Sequence, residues 1–362
     1  MPDYQYNSNI FAGNSVADIP HKNNFDLLRL VLAFSVCLAH LSEVSGVPEF
    51  RPLKQFFYSG VAVDCFFVVS GFLIFRSYNR SSNLLSYCNK RVRRIYPAYL
   101  TVVLLAAFLI PFLTAATDLL FSGLWFRYLV SNLVFLNFLQ PDLPGIFTAN
   151  SLQVINAPLW TIKIEIMFYC SVPLIFLLLK NRKKWIVLSI LYIASVGYAM
   201  VLLHLHRTSG LPIYQTFAKQ LPGQLVYFLG GGGIYLYFSF FQKHCLKLLV
   251  PSLLFLVSKG YLLVPALYPL ALAVTVIFFA VYFPYSGNFG KYGDISYGVY
   301  IYHFPIIQIF TAFDLFRGHP WQTFAFLILT ILGMSTLSYH FVERPFLRKS
   351  SHYRQAAEEQ SS

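Results

Sequence analysis

The sequence predicts an all-α, polytopic integral membrane bundle of about ten transmembrane helices plus one re-entrant or interfacial segment, on three observations. Of 362 residues, 57% are hydrophobic and 11% charged, against ~45–50% and ~25% in a soluble globular domain. Several apolar runs reach about twenty residues with one charge or none, enough as helix to cross a ~30 Å hydrocarbon layer. The basic residues behind the formal net charge of +13 fall in short clusters beside those runs, as in cytoplasmic loops, so no nucleic-acid partner is expected. Aromatics at 18% and the lack of a sustained heptad exclude disorder and coiled coil.

Along the chain, residues 1–24 are polar and hold no apolar stretch or small-residue cleavage site. A cytoplasmic tail over 1–24 and an uncleaved first span are therefore expected. Spans are predicted at 25–43, 59–77, 95–116, 159–179, 185–204, 222–241, 245–258, 261–284, 295–313 and 321–342. They form a membrane domain over 25–346, followed by a cytoplasmic tail over 347–362. Arg76, Arg80, Lys90, Arg91, Arg93 and Arg94 make the most basic loop and set the cytoplasmic side. Lys180, Arg182, Lys183 and Lys184, and Arg344, Arg348 and Lys349, fall on the same side, so both termini are expected there. Segment 121–139 is apolar but carries Arg127 at its centre. Counting it as a span would push the Lys180 to Lys184 cluster outside, so it is expected to be re-entrant or interfacial, where protein or a cavity shelters it. Cys37, Cys65, Cys88, Cys170 and Cys245 are odd in number and lack a C-x-x-C pair, so they read as packing thiols, with neither a disulfide framework nor zinc indicated. Gly230 to Gly233 carry no Walker pattern and read as close helix packing. His204 and His206 diverge on their helix, so no metal is expected there.

The candidate functional residues are those an apolar span should not contain. In the first span Asp26, Arg29 and His40 interrupt the run. Eleven residues put Arg29 and His40 within ~20° of one helical face and ~16 Å apart along the axis, and Asp26 is close enough to pair with Arg29. The plain alternative is an ion pair at the cytoplasmic edge and a histidine satisfied in a polar core. An ionisable group deep in a membrane is functional by default, and an imidazole suits general-base or covalent acyl-carrier work. On the helix opened by Pro158 and Trp160, Glu165 lies about a turn inside, where an unpaired carboxylate is costly. It holds a hydroxyl-bearing substrate, orients His40, or pairs with Lys163. Asp64 in the second span leans to a structural role. Arg91, Arg93 and Arg94 serve as topology signals and lipid contacts, or as a phosphate clamp, since guanidinium forks match phosphate oxygens.

These residues meet a family. Phe25-Asp-Leu-Leu-Arg29 continuing to His40 resembles the arginine-ten-residues-histidine signature of the acyltransferase-3 family of integral membrane acyltransferases. Val63 to Phe72 resembles its second-helix block, Arg91 to Arg94 with Tyr96-Pro97 its R-x-x-R loop, and Leu159-Trp160 through Glu165 to Tyr169 its Leu-Trp-Ser-Leu-x-x-Glu segment. Ile295 to Pro305 and Phe341 to Phe346 are similar to the last two helices. Thr161 and Lys163 stand where the family often has serines, and Ile166 replaces a frequent second glutamate, so Glu165 alone must serve.

The resemblance implies a bacterial inner-membrane O-acetyltransferase that moves acetyl from cytoplasmic acetyl-CoA, without metal, to a hydroxyl of a glycan or lipid-linked saccharide such as an O-antigen or exopolysaccharide precursor. No appended hydrolase-like domain is seen, so transfer is expected within the bundle or with a separate partner. His40 would be base or acyl carrier, with Arg29, Asp26 and Glu165 supporting it. Arg91, Arg93 and Arg94 would hold the donor phosphates, and Asp64, Ser70, Tyr297 and His303 would stand behind. The rival class is a proton-coupled secondary transporter of a small polar solute, which explains intramembrane charge but not a basic clamp at one helix. Oligomeric state is left open.

Overall fold

The computed structural model describes residues 20, 22–114, 116–180, 182–291 and 293–347. The tails expected at 1–24 and 347–362 lie outside these apart from residues 20, 22–24 and 347, as do Arg348 and Lys349. No strand occurs among the described residues. The principal helices are α1 (Phe25–Val44), α2 (Ser59–Asn79), α3 (Leu84–Leu113), α4 (Gly123–Leu133), α5 (Leu159–Leu179), α6 (Lys184–Ser209), α7 (Leu221–Leu236), α8 (Phe238–Val257), α9 (Tyr268–Tyr282), α10 (Ser296–Ala312) and α11 (Pro320–Leu337). A π-helical turn, Ser338–Glu343, extends α11.

Each predicted span coincides with one of these helices. Among the described residues eight helical stretches are long and apolar enough to cross a membrane: α1, α2, α3, α5, α6, α8, α9 with its preceding turn, and α11 with its extension. The other two, α7 and α10, have 16 and 17 residues, which rise about 24 and 26 Å. Three boundaries differ from expectation. The span expected from residue 261 opens with two 3-10 turns, Gly260–Leu262 and Pro265–Leu267, so α9 starts only at Tyr268. Residues 84–94 hold no helix breaker, so α3 starts at Leu84 and carries Arg91, Arg93 and Arg94 in its third turn and beyond rather than at its opening. The break between α7 and α8 falls at Tyr237, which places Lys243 and His244 inside a helix. Segment 121–139 folds as the 11-residue α4 and a short 3-10 turn, Asn137–Leu139. At about 16 Å, α4 is too short to span. Ser122 caps it by accepting from Trp125 N.

The chain divides into two units. Among the described residues, one holds those up to Phe25 with Asp64–Asn89 and Ile164–Ser286; the other holds Asp26–Val63, Lys90–Lys163 and those from Gly287 to Leu347. Within the first, α2 and α7 meet backbone to backbone. A Cβ on Gly71 would lie 2.0 Å from Phe228 O, and one on Gly231 would lie 1.9 Å from Val68 O. The Phe168 and Phe228 rings stack beside that contact at 4.4 Å.

Within the second unit α10 is buried on nearly every face. Pro305 has no N–H, which strips Ile301 O of its helical donor, and Asn156 Nδ2 donates to that carbonyl instead at 2.9 Å. Gln308 Nε2 donates to Leu152 O and Val154 O, both at 2.7 Å, and Tyr300 meets Thr161 at 2.7 Å. The loop before α5 is thereby pinned to α10. Trp125, Tyr128, Leu143, Ile146 and Phe147 pack with Ala106, Ala107 and Ile110 of α3 into an apolar core.

Candidate active site

Four charged side chains meet in the second unit. The sequence places Asp294 immediately before α10, where its Oδ1 accepts from Ser296 N at 3.0 Å and from the Ser296 hydroxyl, as a carboxylate at a helix start does. Its Oδ2 accepts from Arg29 Nη1 and Arg94 Nη2, and Arg94 Nη1 reaches Glu343 Oε2 at 3.2 Å. Two guanidiniums thus face two acidic side chains. Both acids are buried, where either charge alone would be costly. Burial pushes the Asp294 carboxyl up, but Arg29, Arg94 and the Ser296 hydrogen bonds outweigh it and hold the group below the usual carboxylate range. The π-turn sets Glu343: Ser338 Oγ lies 3.5 Å from its Oε1, and Tyr302 OH donates to Ser338 Oγ at 3.1 Å. Gly293 supplies a positive φ of 109°, and any Cβ there would fall inside the Tyr339 ring that covers this corner. Tyr297 lies under the Arg94 guanidinium, 5.9 Å from ring centroid to Cζ, with its hydroxyl on Ile95 O at 3.1 Å.

Further along α1, His40 meets α10. Its Nδ1 lies 2.9 Å from His303 Nε2, with the ring planes 7° apart and the centroids separated by 5.2 Å. That separation is what two imidazoles need when they meet edge to edge through one nitrogen from each, so the contact is an in-plane hydrogen bond and not a face-to-face stack. Phe304 stands at 85° to His40, and His303, with no exposed surface, places Nδ1 3.0 Å from Val299 O.

The other predicted residues are distributed as follows. Asp26 lies against Gly290, where a Cβ would come 2.5 Å from its Oδ2. Arg91 is half-buried, and Arg93 is exposed with Nη1 3.4 Å from Phe346 O. Lys163 Nζ sits 4.6 Å from the Phe138 ring centroid. In the first unit, Glu165 Oε1 accepts from the Tyr169 hydroxyl and, at 3.4 Å, from Ser70 Oγ. Tyr87 OH donates to Tyr169 O at 3.0 Å, and Asp64 accepts from the Tyr227 hydroxyl.

Sequence reasoning passed over Asp294 altogether and took Glu343 only as part of a motif. The Gly293-Asp294 pair ahead of a helix was the available signal, since it is the composition of a turn that caps a helix. Nothing local tells that its second oxygen serves Arg29, 265 positions away.

Comparison with known proteins gives this arrangement a family. The acyltransferase domain of the acyltransferase-3 family matches residues 22–340. The chain is 29% identical over 343 residues to an O-acetyl transferase of Shigella phage Sf6, covering 91% of this chain and 98% of that protein. It is 25% identical to nodulation protein 10 of Rhizobium leguminosarum bv. viciae, over 91% of this chain and 94% of that one. It is also 25% identical to O-acetyltransferase OatA of Staphylococcus aureus, covering 80% of this chain and 53% of that protein. No solved structure matches. The family match over residues 22–340, together with eight helical stretches among the described residues long and apolar enough to span a membrane, places this chain in the acyltransferase-3 family, as a membrane acyltransferase.

Proposed function

We propose that this acyltransferase moves an acetyl group from cytoplasmic acetyl-CoA to a hydroxyl of a glycan or lipid-linked saccharide in a bacterial inner membrane, with both termini on the cytoplasmic side. Coenzyme A carries phosphates that do not readily enter hydrocarbon, so the acyl group must travel on a neutral arm to a base within the bundle. The observation that carries the reading is the His40 imidazole, held by His303 and Phe304 on the helix whose other end is tied into the arginine–carboxylate cluster. Eleven residues of α1 separate the two levels, about 16 Å of rise, which is roughly half the hydrocarbon thickness.

In this scheme His40 either takes the proton of the attacking hydroxyl or transiently carries the acyl group. Arg91 and Arg93 contact the donor phosphates through guanidinium forks. Arg94, engaged by Asp294 and Glu343, holds α3 in register beside Arg29. Asp26 supports the start of α1, and Glu165 receives a hydrogen bond from a hydroxyl-bearing substrate in place of the Ser70 or Tyr169 hydroxyl. The names of the Shigella phage and Staphylococcus relatives support acetyl as the group and oxygen as the acceptor atom.

The test is acetyl transfer in proteoliposomes, with radiolabelled acetyl-CoA and a panel of p-nitrophenyl hexopyranosides. Wild-type protein is expected to release CoA thiol and form labelled ester. His40→Ala should lower the rate by about 100-fold or more, the range of a lost general base. Equal product from both proteins would remove His40 from the reaction.

A further inference from the structure

The contacts of the two histidines settle where their protons lie. Val299 O is a carbonyl and only accepts, so His303 Nδ1, 3.0 Å away, must carry a hydrogen. A neutral imidazole has one N–H, which leaves His303 Nε2 as a bare acceptor. His303 has no exposed surface, and neither ring has an ion-pair partner among the described residues, so a second proton on His303 would be an unpaired buried charge. The 2.9 Å contact from His303 Nε2 to His40 Nδ1 then requires the hydrogen on His40 Nδ1. One nitrogen of the pair, His40 Nε2, is left with a free lone pair.

We propose that His303 is a positioning residue that fixes the Nδ1–H tautomer of His40 through the chain Val299 carbonyl, His303 and His40, making His40 Nε2 the reacting nitrogen. The inference rests on the acyl-transfer reading above and adds what directs its base. In the transfer step the Nε2 lone pair takes the acceptor hydroxyl proton while the hydroxyl oxygen bonds to the thioester carbonyl carbon. The C–S bond then breaks, and the proton passes from Nε2 to the departing sulfur, giving an ester and a free thiol with His40 neutral again. Throughout, Nδ1–H of His40 stays on His303 Nε2. The imidazolium that forms is stabilised by a hydrogen bond already made, so no side chain has to turn. Phe304, standing at 85° to the His40 ring, resists rotation about Cβ–Cγ, and the Val299 carbonyl does the same for His303. A carboxylate usually fills this orienting place behind a histidine base; here a second neutral imidazole does, which suits a site where an extra anion would be expensive.

The experiment has two arms on the full-length protein. In the first, wild-type protein with ¹⁵N-ring-labelled histidine is compared with His40→Gln to assign the His40 signals. The Nδ1 resonance of His40 is expected in the protonated range and Nε2 in the unprotonated range; a proton on Nε2 of wild-type His40 overturns the proposal. In the second, the acetyl-CoA assay is run on His303→Ala and His303→Gln. His303→Ala is expected to lower kcat by about 100-fold, the scale of a misdirected general base, with KM for acetyl-CoA within about threefold. His303→Gln, whose side-chain oxygen can accept from His40 Nδ1, is expected to regain at least tenfold of that loss. Full kcat in His303→Ala while His40→Ala is inactive overturns the proposal and leaves the reading above intact. An active His40→Ala overturns that reading instead. Should His303→Ala fail to fold, the wild-type spectrum still decides.

Discussion

Asp294 shows how much one side chain can hold when it is shared. Its two oxygens serve the start of α10 and two arginines from different helices, and its side chain keeps 2% of its surface while those of Arg29 and Arg94 keep 19% and 13%. Asp294→Asn is therefore expected to leave an excess buried positive charge and cost about 3–5 kcal/mol, as breaking a buried pair does. Glu343→Gln should cost less, because Arg94 retains Asp294. Thermal unfolding in detergent measures both. The pH dependence has a definite sign. The folded pKa of Asp294, about 2, lies below the unfolded value near ~3.9, so its stabilisation is complete above pH ~4 and is lost as pH falls towards 2. The midpoint advantage of the wild type over Asp294→Asn should shrink as pH falls below ~4; an advantage unchanged down to pH ~2 would assign the acid sensitivity to other groups.

At the scale of elements, the glycine run of α7 divides by face. Gly231 faces the α2 backbone and Gly232 the Phe75 ring, while a Cβ on Gly233 would meet nothing within 4 Å. Gly231→Ala must push α2 and α7 apart and is expected to destabilise by about 1–3 kcal/mol, in the manner of an overpacked core. Gly233→Ala removes backbone freedom at no steric cost and is expected to be neutral or stabilising by up to ~1 kcal/mol. Equal midpoints for the two variants would refute the face assignment. Packing by this run was legible from sequence because a glycine cluster without phosphate-binding neighbours has little else to do; which glycine touches which carbonyl was not, because that depends on the rotation of α2. The spans were legible from hydropathy, and His40 from its cost in an apolar run. The lengthening of α3 to Leu84 was hidden by charge: Lys90, Arg91, Arg93 and Arg94 read as loop by the membrane rule, yet they are strong helix formers once above the hydrocarbon. The partner of His40 was legible only as a polar residue in the α10 motif, since the meeting of α1 and α10 is long-range.

For the whole molecule, the arginine–carboxylate cluster bears on topology. Arg29 lies near the start of α1, Arg94 in the first half of α3, Asp294 just before α10 and Glu343 in the turn that extends α11. Their direct contacts require all four positions on one side of the bilayer. Between Arg94 and Asp294 the chain runs through α3 and then α5, α6, α7, α8 and α9. On the expected ten-span topology, in which α7 also crosses, six crossings return it to the side it left, and a seventh through segment 121–139 would strand Asp294 and Glu343 on the far face. The 11-residue α4 is too short to make that crossing, and with α7 as the sixth crossing the ion pairs leave no place for it. The expected outcome is that Asp118→Cys and Gln153→Cys, at exposed positions flanking the segment, both react with an impermeant maleimide from outside intact cells. The exposed native Cys88, beside the basic stretch of α3, should react only in inside-out vesicles. Labelling of positions 118 and 153 from opposite sides would mean that the segment crosses, and another span would then have to be lost for Arg29 and Arg94 to reach Asp294.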